Sequence, residues 1–256
     1  NIFKYSLPNS SFMGELIDLI DKIKKYYVFN PHELKGFAIS IIAIAFVVSF
    51  KEWGNSSFDF LVGLFNFFNA VLIVALSMLV HDAGQRIWGL SIGYKIEFRM
   101  WSFGIVASLV MAFLSNGNLW LIIPSGFMLH HLAGHRLGWF RYDVNYFAQA
   151  MIALAGTLFT LTLIIFLKML SAFSSSMLLE KAIMFNVVYA ITSLLPIPPL
   201  DGSKIYFGSR MLYAFVLPSK IIATIFMKIN VPVFLALVLS FLVGIVLWIV
   251  YYISFE

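Results

Sequence analysis

His81, Asp82 and Gln85 stand in "HDAGQ", directly after the apolar run "FDFLVGLFNFFNAVLIVALSMLV". On a helix, residues at i and i+4 share one face, so His81 and Gln85 point the same way with Asp82 beside them. The pattern is close to His-Glu-x-x-His, in which two imidazoles grip one zinc ion and the glutamate takes a proton from metal-bound water. His81 can still ligate. Gln85 puts a neutral amide at the second ligand position, a poor zinc donor beside imidazole. Asp82 holds the base position with a carboxylate that reaches about 1.5 Å less far. Positioned proton transfer contributes about 10²–10⁴-fold in rate, and losing a ligand threatens metal binding itself. Taken alone, "HDAGQ" reads equally well as a polar helix end reaching water.

A second segment weighs against that bland reading. Residues 193–202 are "SLLPIPPLDG", an apolar stretch broken by Pro196, Pro198, Pro199 and Gly202 around one acid, Asp201. Prolines forbid a regular helix there. In a membrane, backbone freed in this way must line a protein cavity, and an acid at that depth is functional by default.

The elements that position these residues must lie in a bilayer. The chain has 256 residues, 61% of them hydrophobic and 11% charged, whereas a soluble domain is nearer 45–50% apolar and about 25% charged. Spans need ~20 apolar residues, and about six are expected, at 37–50, 58–80, 101–115, 147–173, 182–196 and 231–255. With no cysteine, disulfides and thiolate metal sites are excluded. The net charge of +5 is modest. It reads as loop charge facing lipid headgroups, and no nucleic-acid partner is expected. Lys4, Lys22, Lys24, Lys25 and Lys35 precede the first span and favour a cytoplasmic N-terminus, although the charges of the later loops leave orientation open.

Residues 1–29 form a segment of their own. Within it, Leu16, Ile17, Ile20, Ile23 and Tyr27 recur at helical spacing among charged residues, as in an amphipathic helix lying in the membrane interface. In "NPHELKG" Asn30 is a helix cap and Pro31 its first turn. His32 and Glu33 imitate a zinc motif, but Gly36 stands where a second ligand would be, so this is a helix start. In "LSIGYKIEFRMW" Ile92, Tyr94, Ile96 and Phe98 alternate with polar residues, predicting an extended segment near 91–98. Residues 116–146 are a polar and aromatic connection, read as a re-entrant loop or a partly extended lid. Arg99, Arg136 and Arg141 meet headgroups or, for the last two, pair with Asp143. Lys204 is expected to snorkel to the interface. No repeat is visible, so residues 30–256 are one membrane domain.

With both motifs in view, the chain resembles the site-2 protease family of intramembrane zinc metalloproteases, in an archaeal branch. "HDAGQ" is similar to the family's HExxH helix, and "FNVVYAITSLLPIPPLDGSK" (185–204) is nearly its later segment. "HELKGFAISIIAIAF", "EFRMW" and "ALAGTLFTL" resemble further stretches, so the likeness runs over roughly residues 32–210. It implies zinc held by His81 and Asp201, with Gln85 at the second ligand position, Asp82 at the general-base position, and Asn186 and Ser193 lining the pocket. The departures accumulate. Besides Asp82 and Gln85, Thr157 and Thr160 replace a Pro and an Asn of the family pattern, and Ser193 replaces an Asn. Changes at one ligand, the base and accessory positions together look like drift after selection on proteolysis relaxed.

An alternative metal cluster is open in "HHLAGH". His131 and His135 are spaced i, i+4 and share a face if that stretch is helical, although Gly134, Gly138 and Pro124 argue against a helix. The fold expected is an all-α polytopic membrane protein with a short extended segment and a site-2-protease-like core. The function expected is that of a pseudoprotease in the cell membrane of a prokaryote, an archaeon by the resemblance. It would bind other transmembrane helices or serve as an accessory subunit of a membrane complex, with no cofactor. The alternative is an active zinc protease with an HDxxQ site that cleaves single-span membrane proteins.

Overall fold

In the computed structural model, residues 12–54, 58–132, 145–174, 176–229 and 231–255 are described. In chain order the elements are α1 (Phe12–Tyr26), α2 (Pro31–Ser49), α3 (Phe60–Ser91), β1 (Tyr94–Met100), α4 (Ser102–Leu114) and β2 (Ser125–His131). They continue with α5 (Tyr146–Phe173), α6 (Met177–Ser193), α7 (Asp201–Gly208), α8 (Arg210–Lys228) and α9 (Val233–Phe255). The protein is an all-α polytopic membrane protein with one small two-stranded sheet. Among the described residues, five helices are long and apolar enough to cross a membrane: α2, α3, α5, α8 and α9.

The expected spans shift in three places. Residues 101–115 become α4, which has 13 residues and is short of a full crossing. Residues 182–196 become the 17-residue α6. In return α8 is long enough to span, although Arg210, Pro218, Lys220 and Lys228 interrupt its apolar run. The buried core explains the exchange: α6 supplies Phe185, Tyr189 and Ala190 to a cluster shared with Ile44, Val48, Val74, Met78 and Ile164. A helix buried inside a bundle need not be as long as one that faces lipid on its own.

Local chemistry sets the ends that matter. Asn30 caps α2, its backbone N–H donating to Glu33 Oε2 at 3.2 Å in a capping box. Asp59 caps α3, accepting from the N–H groups of Leu61 and Val62 at 3.0 and 3.2 Å. Helix α3 then runs ten residues past His81, so "HDAGQ" is a buried helical turn and not a helix end at the water surface. The extended segment expected near 91–98 is β1, and it pairs antiparallel with β2 from Tyr94↔His131 to Met100↔Ser125. The connection after α4 thus supplies a second strand, which satisfies backbone that would otherwise be exposed. Leu16, Ile17 and Ile20 of α1, on the apolar side of the amphipathic helix, are exposed among the described residues.

Candidate functional site

Asp201 reaches the site because the chain cannot remain helical before it. Helix α6 stops at Ser193, the proline-rich loop turns through Leu200 N–H donating to Ile197 O at 2.9 Å, and α7 starts at Asp201. Gly202 is obligatory at this turn, since a Cβ there would overlap the Leu194 carbonyl. That same carbonyl accepts from Tyr213 Oη at 2.9 Å, which ties the loop to α8. Lys204 is not an interface anchor. It is buried, its ammonium donates to Phe127 O at 3.1 Å, and it lies over the Phe127 ring. The loop is thereby pinned to β2, and Gly126 allows the approach because a Cβ would come 2.7 Å from Pro199 O.

His81, Gln85 and Asp201 meet, although Asp201 is 120 residues from His81. His81 Nε2 lies 2.8 Å from Asp201 Oδ2. Gln85 Nε2 lies 2.9 Å from Asp201 Oδ1 and 3.0 Å from His81 Nε2. A carboxylate only accepts hydrogen bonds. The His81 Nε2 proton therefore points at Asp201, and Gln85 turns its NH₂ to the other oxygen, because the flipped amide would set oxygen against oxygen. On its far side His81 Nδ1 is 2.8 Å from Thr160 Oγ1, and that hydroxyl is also 3.1 Å from Gly156 O. Gly156 makes the helix–helix approach possible: a Cβ there would sit 2.6 Å from Gln85 Cγ and 2.9 Å from His81 Nε2. Thr157 is buried and donates to Leu154 O.

Asp82 faces a different partner set. Its Oδ2 is 2.5 Å from Arg86 Nε. The same guanidinium bonds Glu33 of α2, and Glu33 Oε1 also accepts from the Phe98 N–H of β1 at 2.6 Å. All three charged side chains are buried, and Phe29 covers the guanidinium with its ring centroid at 4.1 Å. In the sequence Glu33 stood out only as part of a zinc-motif imitation at a helix start. Arg86 had one signal, its i+4 spacing from Asp82; its pairing with Glu33, 53 residues away, had none.

A cavity of about 20 Å³ lies where these groups converge, lined by His81, Asp82, Gln85, Ser193, Tyr189 and Asp201 among others. That is room for one water. Asn186 stands apart from its wall: its amide nitrogen donates to Ser77 Oγ at 2.9 Å and Ala182 O at 2.8 Å. Of the alternative histidine cluster, the described end is strand and not helix. His131 ends β2 beside the Tyr94 ring, and His130 bonds Glu97 at 2.9 Å. His135, with Arg136, Arg141 and Asp143, lies outside the described residues.

Zinc is the group the resemblance implies, and the donor set does not fit it. The third position offers an amide that is already donating to the carboxylate. Among the described residues, no group of three or more His, Cys, Asp or Glu is placed to hold a metal ion.

In sequence, the chain is similar to a protein of Methanocaldococcus jannaschii named "Putative zinc metalloprotease MJ0611". The two are 26% identical over 195 residues, which is 73% of this chain and 90% of the relative. No family model matches the chain, and no solved structure matches it.

Proposed function

We propose that the chain is a non-catalytic member of the site-2 protease family. In this reading its degenerate site is a structural hydrogen-bonded cluster. The protein acts in an archaeal cell membrane, as a module that binds transmembrane helices or as an accessory subunit of a membrane complex. Residues 1–29 rest at the membrane interface and 30–256 form the membrane domain. Its partners are lipid and other membrane proteins.

One observation carries the reading: Asp201 accepts from both remaining positions, His81 Nε2 on one oxygen and the Gln85 amide on the other. Two further points support it. Asp82, at the base position, is committed to a buried arginine that also holds Glu33. The similarity to the M. jannaschii protein supports the family, not the activity.

The competing reading, an active zinc protease, draws on the meeting of His81 and Asp201 next to Asp82 at a cavity with room for one water. Elemental analysis of the purified protein, with an Asp201→Asn control, separates the two. Under the non-catalytic reading zinc stays well below one equivalent in both proteins, and no model membrane substrate is cut. About one zinc per chain, lost in Asp201→Asn and accompanied by cleavage, overturns it.

A further inference from the structure

Lys220 is a buried cation outside the hydrogen bonds of the His81 cluster. It sits near the middle of α8, is 6% exposed, and its ammonium nitrogen is buried without a hydrogen-bond partner. Packing shows which way it points. Helices α7 and α8 join at Ser209 and fold back on each other: Gly202 and Tyr213 both abut the Leu194 carbonyl, and the rings of Tyr206 and Tyr213 lie 5.4 Å apart. Ile205 of α7 and Val216 of α8 belong to one buried apolar cluster with Leu194. One turn farther from Ser209 on each helix stand Asp201 and Lys220, on the faces of Ile205 and Val216. Both faces turn into the same interior, and Asp201 is the acid whose charge acts on Lys220. The other ammonium whose charge acts on Asp201 is that of Lys204. It is engaged elsewhere, donating to Phe127 O at 3.1 Å and lying over the Phe127 ring.

We propose that Lys220 is the buried counter-ion of Asp201: a cation built into α8 supplies the positive charge that a metal would bring to the carboxylate, and its field keeps a divalent cation out. Lys220 is thus a positioning residue that acts on the cluster through Asp201. His81 and Gln85 engage both oxygens of that carboxylate, but a hydrogen bond from a neutral amide does not balance a buried charge. An ammonium without a hydrogen bond is retained inside a membrane protein only where an anion offsets it. The two needs meet in one pair. A divalent ion brought to His81 and Asp201 is repelled by the ammonium through a low-dielectric interior, where charges act far more strongly than in water. The inference rests on the non-catalytic reading of the cluster given above.

A double-mutant cycle on the full chain in detergent tests the pair. Lys220→Met is expected to lower the thermal unfolding midpoint of the parent. In Asp201→Asn it is expected to lower the midpoint much less, or to raise it, because there the ammonium has already lost its anion. A second arm reads zinc. In a Gln85→His chain, Lys220→Met is expected to tighten zinc binding about tenfold, whereas Lys220→Arg keeps the affinity of the Gln85→His chain. Val216→Ala, an apolar change on the same face of α8, is expected to lower the midpoint without moving zinc affinity, which sets a merely structural role of Lys220 apart. An equal cost of Lys220→Met in the two backgrounds overturns the proposal. So does zinc binding that Lys220→Met does not tighten, or that Val216→Ala tightens as much. About one zinc per native chain overturns the reading of the cluster and this inference with it; an additive cycle in a zinc-free chain overturns the inference alone.

Discussion

Asp82 Oδ2 lies 2.5 Å from Arg86 Nε, one turn further along α3, and Arg86 carries the ion pair on to Glu33 at the first turn of α2. Asp82 is thus an element of a buried charge triad that holds α2, α3 and, through the Phe98 N–H, β1 together. Two carboxylates share one guanidinium. Removing the cation strands both of them, and breaking a buried pair from one side costs about 3–5 kcal/mol. Arg86→Met is expected to lower the thermal unfolding midpoint in detergent sharply. The combined Glu33→Gln, Asp82→Asn, Arg86→Met protein is expected to recover much of the loss, because no charge is left unpaired. An Arg86→Met protein that melts like the parent contradicts this role.

Gln85→His places a second imidazole one turn from His81. It also removes the amide that donates to Asp201. Zinc bound per chain is expected to rise toward one equivalent, read by elemental analysis after dialysis. Adding Asp82→Glu is expected to leave proteolysis at background, since Arg86 remains within reach of the longer carboxylate. Cleavage by that double variant shows that the arginine does not hold the base position.

Gly156→Ala tests the contact between α5 and α3. In an open helix the change stabilises by roughly 0.5–1 kcal/mol. Here the new methyl meets Gln85 Cγ at 2.6 Å and His81 Nε2 at 2.9 Å, and both side chains are pinned. Overpacking of this kind costs about 1–3 kcal/mol, so the net effect is expected to be destabilising. A raised unfolding midpoint shows that the cluster gives way easily.

Thr160→Val keeps the shape of the side chain and removes the partner of His81 Nδ1. An orphaned buried polar group costs about 1–3 kcal/mol. In the hydrogen-bonded cluster Asp201→Asn is expected to cost less than Asp201→Ala, because the amide still accepts one bond whereas alanine leaves His81 and Gln85 without an acceptor. Thermal unfolding of the three variants gives the order, and Asp201→Asn as damaging as Asp201→Ala speaks against a structural cluster.

The sequence by itself determined what depends on local pattern and on composition. Its apolar content requires a bilayer, the alternation through Tyr94–Phe98 marks a strand, and "NPHE" marks a capped helix start. "HDAGQ" put His81 and Gln85 on one helix face; that Asp201 of "LLPIPPLDG" would join them was implied by the resemblance to the site-2 protease family and not by spacing. The tertiary structure alone decided what those residues do to each other. Whether Gln85 stands idle or donates to Asp201 depends on how closely α5 approaches α3 at Gly156, and whether Asp82 is free depends on a glutamate from α2. Helix α8 escaped the hydropathy reading because Pro218 and Lys220 interrupt its apolar run. Such polar residues are tolerated where neighbouring helices screen them, and that neighbourhood is a property of packing between segments far apart in the chain.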